Sequence, residues 1–65
     1  MADKESCTSP TNGDRWEFYK DSAGEWRWTR IARSGEVVGA SHEGYVNKSD
    51  CIENAKRPGM DCNPS

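Results

Sequence analysis

The fold of this chain is decided by residues 15–33, which read RWEFYKDSAGEWRWTRIAR. Large aromatic residues alternate with charged residues on both sides of the turn-forming stretch Asp21 to Gly24. Alternation with a period of two is typical of a β-strand with one buried face, and clustered turn residues mark a hairpin. We therefore predict two antiparallel strands, residues 15–20 and residues 25–33.

The need to keep one face of the sheet dry determines the register of this hairpin. A three-residue loop with Gly24 in the left-handed conformation places Phe18 opposite Trp28. A third strand, residues 36–41, follows Ser34-Gly35, which we predict to be a two-residue turn. One face of the resulting sheet carries Trp16, Phe18, Trp26, Trp28, Ala32 and Val37. The other face carries Arg15, Glu17, Tyr19, Arg27, Thr29, Ile31, Arg33, Val38 and Ala40.

One helix is available to cover the aromatic face. Asn47 is a good N-cap residue, and Pro58-Gly59 ends the helical stretch, so we predict a helix over Lys48 to Arg57. Its apolar stripe consists of Cys51, Ile52 and Ala55. The fold class is therefore α+β, a three-stranded antiparallel meander followed by one helix. This short stripe is too small to cover the aromatic face completely, so we expect a homodimer.

The composition limits what else the chain can form. Its 65 residues allow a single domain, and they include no leucine, so aromatic residues must supply most of the core. Residues 1–14 are polar, and we predict a disordered tail there. The domain then spans residues 15–58, and residues 59–65 form a C-terminal tail.

Three cysteines, Cys7, Cys51 and Cys62, are odd in number and have no paired spacing. We therefore expect neither a disulfide framework nor a metal site, and no motif indicates a cofactor. No apolar run approaches the length of a membrane span, and the N-terminal residues lack the apolar stretch of a secretory signal. These observations predict a cytoplasmic protein without membrane contact.

Catalysis is not indicated by any arrangement of residues. His42 is the single imidazole, and Cys51, the one thiol that a dyad with His42 would use, belongs to the core stripe of the helix. We assign no catalytic residues and expect a protein that is not an enzyme.

Two surfaces remain as candidates for binding. Arg15, Tyr19, Arg27 and Arg33 share the face away from the helix, and arginines interleaved with an aromatic residue on an open sheet are typical of single-stranded nucleic-acid binding. The net charge of −2 and the isoelectric point near 5.2 count against this interpretation. His42 and Tyr45 mark a second position, a cleft for a small ligand.

Several short motifs also resemble those of the YegP-like family, small bacterial and archaeal proteins of unknown function. The motifs are Phe18-Tyr19-Lys20-Asp21, Gly24-Glu25-Trp26-Arg27-Trp28, Ser34-Gly35-Glu36-Val37-Val38, Glu43-Gly44-Tyr45 and Asn47-Lys48. The resemblance implies a homodimer in which two units share one sheet and exchange C-terminal strands, with residues 59–65 as the segment available for exchange. The function expected is a non-catalytic interaction or accessory module. The alternative is a binding module for single-stranded nucleic acid or a small ligand.

Overall fold

Four strands form one antiparallel sheet in the computed structural model, which describes residues 4–64. The elements are β1 (Lys4–Thr8), β2 (Arg15–Lys20), β3 (Trp26–Ile31), β4 (Val37–Ala40) and the helix α1 (Lys48–Lys56). The strands lie in the order β1-β2-β3-β4, so each strand pairs with its neighbours in sequence. The predicted α+β class and C-terminal helix are confirmed, but the predicted number of three strands is wrong.

The hairpin of β2 and β3 has the predicted register. Phe18 pairs with Trp28, and the loop is closed by a hydrogen bond of 2.9 Å from the amide of Asp21 to the carbonyl of Glu25. Gly24 has a φ of 77°, the left-handed conformation that this three-residue loop requires at its last position. The aromatic residues of both strands therefore share one face.

The hairpin of β3 and β4 differs from the prediction by one residue. The amide of Ala32 donates to the carbonyl of Glu36 over 2.7 Å, so the loop has three residues instead of two. A β-bulge in β4 compensates for this extra residue, because Ile31 pairs with Val37 whereas Arg30 pairs with Gly39. Val37 therefore leaves the predicted core face, and 63% of it is exposed.

The strand β1 corrects the prediction that residues 1–14 form a disordered tail. Residues 4–8 pair with residues 15–19 of β2, and the connecting loop is closed by a 2.8 Å hydrogen bond from the amide of Ser9 to the carbonyl of Asp14. The Ser9 side chain accepts the amide of Thr11 within the same loop. The predicted domain start at residue 15 therefore omits one strand, and residues 1–3 lie outside the described part of the chain.

A disulfide joins Cys7 of β1 to Cys62 of the C-terminal tail, with Cα atoms 5.9 Å apart. The expectation of no disulfide framework therefore misses this bond. An odd number of cysteines does not exclude one bond, because Cys51 remains as a free thiol buried in the core. The tail packs against its own chain, and Met60, two residues before Cys62, is buried.

The core lies between the sheet and the helix. Its buried members are Trp16, Phe18, Trp28, Cys51, Ala55 and Met60, with Cys7, Trp26, Tyr45, Ile52 and Cys62 packed around them. The Trp28 indole donates a 3.0 Å hydrogen bond to Asn54 and so connects the sheet to the helix. Met60 and the disulfide complete the cover that the helix stripe alone could not provide. The aromatic face therefore needs no second subunit to bury it, which removes the argument from packing for a homodimer.

The helix α1 begins after Asn47, the predicted N-cap residue, and ends one residue before the predicted Arg57. Arg57 occupies the C-cap position, and Gly59 follows with a φ of 123°. A glycine in this conformation after the last turn is a common way to end a helix. Within residues 4–64, no helix has the length and apolar character needed to cross a membrane.

Candidate functional site

The face of the sheet away from the helix, called here the open face, carries three rows of paired residues, and in the middle row Glu17 pairs with Thr29. One row runs across the strands from Thr8 to Arg15 and then to Ile31, and it ends at Val37. A second row, toward the other end of β2, consists of Lys4, Tyr19 and Arg27. Three of the four predicted binding residues, Arg15, Tyr19 and Arg27, therefore lie on the open face, in two separate rows.

Arg15 is held by Glu17 on the same strand. The Arg15 Nε donates to the Glu17 carboxylate over 2.9 Å, and its Nη2 contacts the same oxygen. Lys4 of β1 lies 3.6 Å from the other carboxylate oxygen. The hydrogen bond from Arg15 lowers the pKa of Glu17 below its usual range, despite the opposing effect of burial. This pairing orients the Arg15 side chain but uses only part of its hydrogen-bonding capacity.

Arg27 is neutralised by Asp21 at the end of the hairpin. Its Nε donates to Asp21 over 2.5 Å. The other carboxylate oxygen of Asp21 accepts the amides of Ala23 and Glu25 inside the loop. The hydrogen bond from Arg27 is the main cause of the lowered pKa of Asp21. Arg27 therefore holds the hairpin loop in place, which is a structural role.

Arg15 and Arg33 line the same open cleft, which we call the arginine cleft. It has a volume of about 330 Å³, and its walls are Thr8, Gly13, Arg15, Ile31, Ala32, Arg33 and Gly35. None of these wall residues, all from the described part of the chain, is acidic. Within residues 4–64, Arg33 forms no ion pair with a carboxylate. The structure thus brings together two of the four predicted binding residues, and it separates them from Tyr19 and Arg27.

Arg30 lies on the other face of the sheet, which packs against the helix, where it pairs with Trp16. It donates to Asp14 over 2.7 Å, and its guanidinium lies 4.9 Å from the centre of the Trp16 ring. A weaker contact of 3.4 Å reaches the carbonyl of Pro58. Arg30 covers the rim of the core and is held there by Asp14, Trp16 and Pro58.

The second predicted position, His42 with Tyr45, does not form one site. Tyr45 lines a polar depression of about 340 Å³, but His42 is exposed and does not line it. The other residues of this depression are Glu43, Asp50, Glu53, Asn54 and Arg57. Tyr45 pairs with Trp26 through two backbone hydrogen bonds of 2.7 and 2.9 Å. Its pKa is raised by burial and by the neighbouring Glu43. Tyr45 therefore extends the sheet beside β3.

The arrangement offers little to nucleophilic chemistry. Cys51 is fully buried, and its burial raises the pKa of the thiol to about 11. A thiol in this state is a poor nucleophile near neutral pH. In the described part of the chain, no group of three or more His, Cys, Asp or Glu residues is arranged to hold a metal ion.

Two residues of the arginine cleft were not predicted from the sequence to belong to a site. Thr8 and Gly13 belong to the segment that was expected to be disordered, so they could not be assigned to any surface. Gly13 has a φ of 80°, and a Cβ atom there would lie 3.2 Å from the Arg33 Cδ. Asn12-Gly13 is a turn signal in the sequence, and it could have indicated an ordered connection before β2.

Comparisons with known proteins match the central part of the chain. A family model described as "Domain of unknown function (DUF1508)" matches residues 21–56. Two UPF0339 proteins, from Neisseria meningitidis serogroup B and serogroup A, are each 44% identical to this chain over 36 residues. That alignment covers 55% of this chain and 62% of each relative, so the chain spans about three fifths of their length. No solved structure matches the chain.

Proposed function

Because the chain belongs to the DUF1508 family of domains of unknown function, whose description names no activity, we propose its function from its geometry: a non-catalytic interaction module. Its partner is a second copy of this chain, and the contact is the free edge of β4. The resemblance to YegP-like proteins leads to the same family, and the proposal keeps the shared sheet that this resemblance implies. The proposal does not require the partner to cover the aromatic face, because Met60 and the disulfide of the same chain help to cover it.

The main support for this proposal is the position of the exposed apolar residues. Val37, Val38 and Val46 are 63%, 52% and 79% exposed, and they are the large apolar residues with this exposure in the described chain. All three belong to residues 37–46, the segment that runs along the outer side of β3. We call this segment the edge segment. Exposed apolar residues gathered along one edge are typical of an interface.

The two edges of the sheet differ in the features that prevent strand pairing. In β1, Glu5 is held by Lys48 of the helix over 2.5 Å, and Cys7 is bonded to the C-terminal tail. Charged residues and covering segments are common protections of an edge strand. The strand β4 contains no charged residue, and its pairing with β3 includes a bulge. Backbone pairing with a second β4 strand would extend the antiparallel sheet across the two-fold axis.

Only a short strand is available for this contact, since β4 has four residues. Stable dimers usually bury at least ~1,200 Å² in total, and an edge contact of this length lies at the low end of that range. We therefore expect a weak dimer that dissociates on dilution. Each subunit has a complete core of its own, so dissociation need not unfold it.

The Cys7–Cys62 disulfide also bears on where the module acts. Disulfides persist in oxidising compartments and are rare in the cytosol. The bond therefore favours an oxidising compartment over the cytoplasmic location expected from the sequence. An exposed sheet edge that pairs weakly is compatible with either compartment.

Sedimentation of two matched lysine variants tests the proposal. Val38→Lys places a charge on the free edge of β4, and Ser6→Lys places the same charge on β1 at the opposite edge. We expect the mass of the wild-type protein to rise above the monomer value of 7.3 kDa with concentration. Val38→Lys should remain monomeric, because an edge lysine opposes strand pairing.

The Ser6→Lys variant should behave like the wild-type protein. A wild-type protein that sediments as a monomer at every concentration would refute the dimer. Equal loss of association in both variants would refute the assignment to β4.

A further inference from the structure

We propose that the arginine cleft binds a phosphate group carried by a ligand with an apolar or planar part, such as a phosphate monoester of a nucleoside. The cleft lies at the end of the open face where β1, β2 and the β3–β4 loop meet. The cleft adjoins the edge segment where Ile31 pairs with Val37, but no wall residue of the cleft belongs to that segment, so this inference does not depend on the proposed dimer. Neither the family description nor the names of the two relatives assign a ligand to it.

The charge of the cleft favours an anion. Its two charged wall residues, Arg15 and Arg33, are both cationic. The Glu17 carboxylate beside it accepts from the Nε and Nη2 of Arg15. A guanidinium carries five N–H donors, so the remaining donors of Arg15 stay available. Glu36, which follows Gly35 in the adjacent loop, is exposed and is not part of the cleft wall.

Arg33 is partly oriented before any ligand arrives. Its Cδ lies 3.2 Å from the position of a Cβ on Gly13, so the aliphatic stem of Arg33 rests on the glycine backbone. A side chain at position 13 would displace this stem, and the φ of 80° would be strained for any residue other than glycine. A restricted arginine loses less conformational entropy when it binds a ligand than a free one does.

The floor of the cleft favours an ester over a bare ion. Ile31 and Ala32 add apolar surface to the cleft, and Thr8 of β1 adds a hydroxyl group. Small-ligand sites commonly combine apolar walls with a few polar groups that fix the orientation of the ligand. A ligand that pairs charge with an apolar or planar part uses both features of this cleft.

The number of arginines favours phosphate over carboxylate. A phosphate monoester carries a charge of roughly −1.5 to −2 near neutral pH, and it presents three acceptor oxygens. Two guanidinium groups in one cleft match this charge and this number of acceptors. A carboxylate, with one charge and two oxygens, is satisfied by a single arginine. The same phosphate chemistry is available from a free nucleotide or from a single-stranded nucleic acid.

Amide chemical-shift titrations by NMR test this inference on the full chain. The probes are adenosine 5′-monophosphate, inorganic phosphate, acetate and a single-stranded oligothymidine. We expect the nucleotide to give saturable, salt-sensitive shifts at Gly13 and at residues 31–35, with weaker binding of inorganic phosphate and the weakest binding of acetate. If the oligothymidine binds more tightly than the nucleotide and also shifts Tyr19 and Arg27, the phosphate belongs to a nucleic-acid strand. If it binds no more tightly, the ligand is a small phosphate ester.

Two matched arginine variants supply the control. Arg33→Gln removes a charge from the cleft, and Arg57→Gln removes the same charge from the end of the helix. Both side chains are exposed, so both variants should keep the wild-type melting temperature. Loss of one charge-assisted contact should weaken nucleotide binding by about tenfold in Arg33→Gln. Equal weakening in Arg57→Gln, equal binding of acetate and the nucleotide, or the absence of saturable shifts would overturn the inference.

Discussion

Opening the Cys7–Cys62 disulfide should remove a large share of the stability of this domain. The two cysteines lie 55 residues apart in the chain. For a closed loop of that length, the chain-entropy model gives a stabilisation of about 4 kcal/mol. A chain of 65 residues has a total free energy of unfolding of roughly 3 to 10 kcal/mol. The reduced protein should therefore melt at a much lower temperature, by on the order of 20 °C.

Thermal melts followed by tryptophan fluorescence measure this effect, since Trp16 and Trp28 are buried in the core. The wild-type protein is compared with and without a thiol reductant, and with a double variant, Cys7→Ser with Cys62→Ser. The variant should melt at the temperature of the reduced wild-type protein. The reductant should have no effect on the variant, which shows that the reductant acts through the disulfide alone.

A fall of only a few degrees on reduction would refute this reasoning. It would mean that β1 and the C-terminal tail stay in place without the bond, because the packing of Met60 holds them. Thiol counting under denaturing conditions verifies the starting state. One thiol, that of Cys51, should react in the oxidised chain, and three should react after reduction.

Two further predictions concern single ionisable groups. Cys51 is buried, and its pKa is raised to about 11. A thiol reagent at mildly alkaline pH should therefore modify Cys51 only after denaturant unfolds the chain. Rapid modification of Cys51 in the native protein would contradict this prediction. Asp21 has a pKa below its ordinary value of 3.8, mainly because it accepts a hydrogen bond from Arg27. Its stabilisation is therefore present above that value and is lost as the pH falls through the lower, folded-state pKa. Asp21→Asn should lower the urea midpoint at neutral pH but not at an acidic pH below the folded-state pKa of Asp21. An equal deficit at both pH values would show that the charge of Asp21 is not the cause.

The central hairpin could be predicted because its information is local. Alternating aromatic residues define the buried face, and Gly24 defines the loop, so the pairing of Phe18 with Trp28 follows from residues within a short stretch. The prediction of the second hairpin, between β3 and β4, was wrong in the length of its loop. A two-residue loop, Ser34-Gly35, and a three-residue loop that ends in Gly35 both fit the sequence. The bulge that accompanies the three-residue loop has no local sequence signal. Val37 was therefore assigned to the wrong face.

The strand β1 could not be predicted because it lacks the pattern of a strand that buries large residues. Its sequence is KESCT, and its one core-facing apolar residue, Cys7, is small. What orders it is the unpaired edge of β2, together with the bond to Cys62. Both are tertiary effects that cannot be seen from the residues of β1 alone. The disulfide was missed for the same reason, since its two cysteines become neighbours only after the sheet and the tail have formed.

The candidate sites were predicted in part. The open face and its arginines followed from strand alternation, but alternation does not show which arginines are engaged by carboxylates. Arg27 is bound to Asp21 through contacts that depend on the exact loop geometry. Arg33 lies beyond the end of β3, and its place in a cleft depends on the loop that contains Gly13. The proposed roles of these residues stay predictions.

The separation of local and distant contacts along this chain implies an order of assembly. The β2–β3 turn is closed by Asp21, whose side chain accepts two amides from its own loop at 2.9 and 3.0 Å. Hairpins of this kind form within about 1 to 10 μs, whereas contacts between chain ends must wait for the intervening chain to collapse. We therefore expect Cys7 and Cys62 to meet last, after the tryptophan core exists. Oxidation then does not determine which strands pair. It links Cys7 to Cys62 after the hairpins have already formed the sheet.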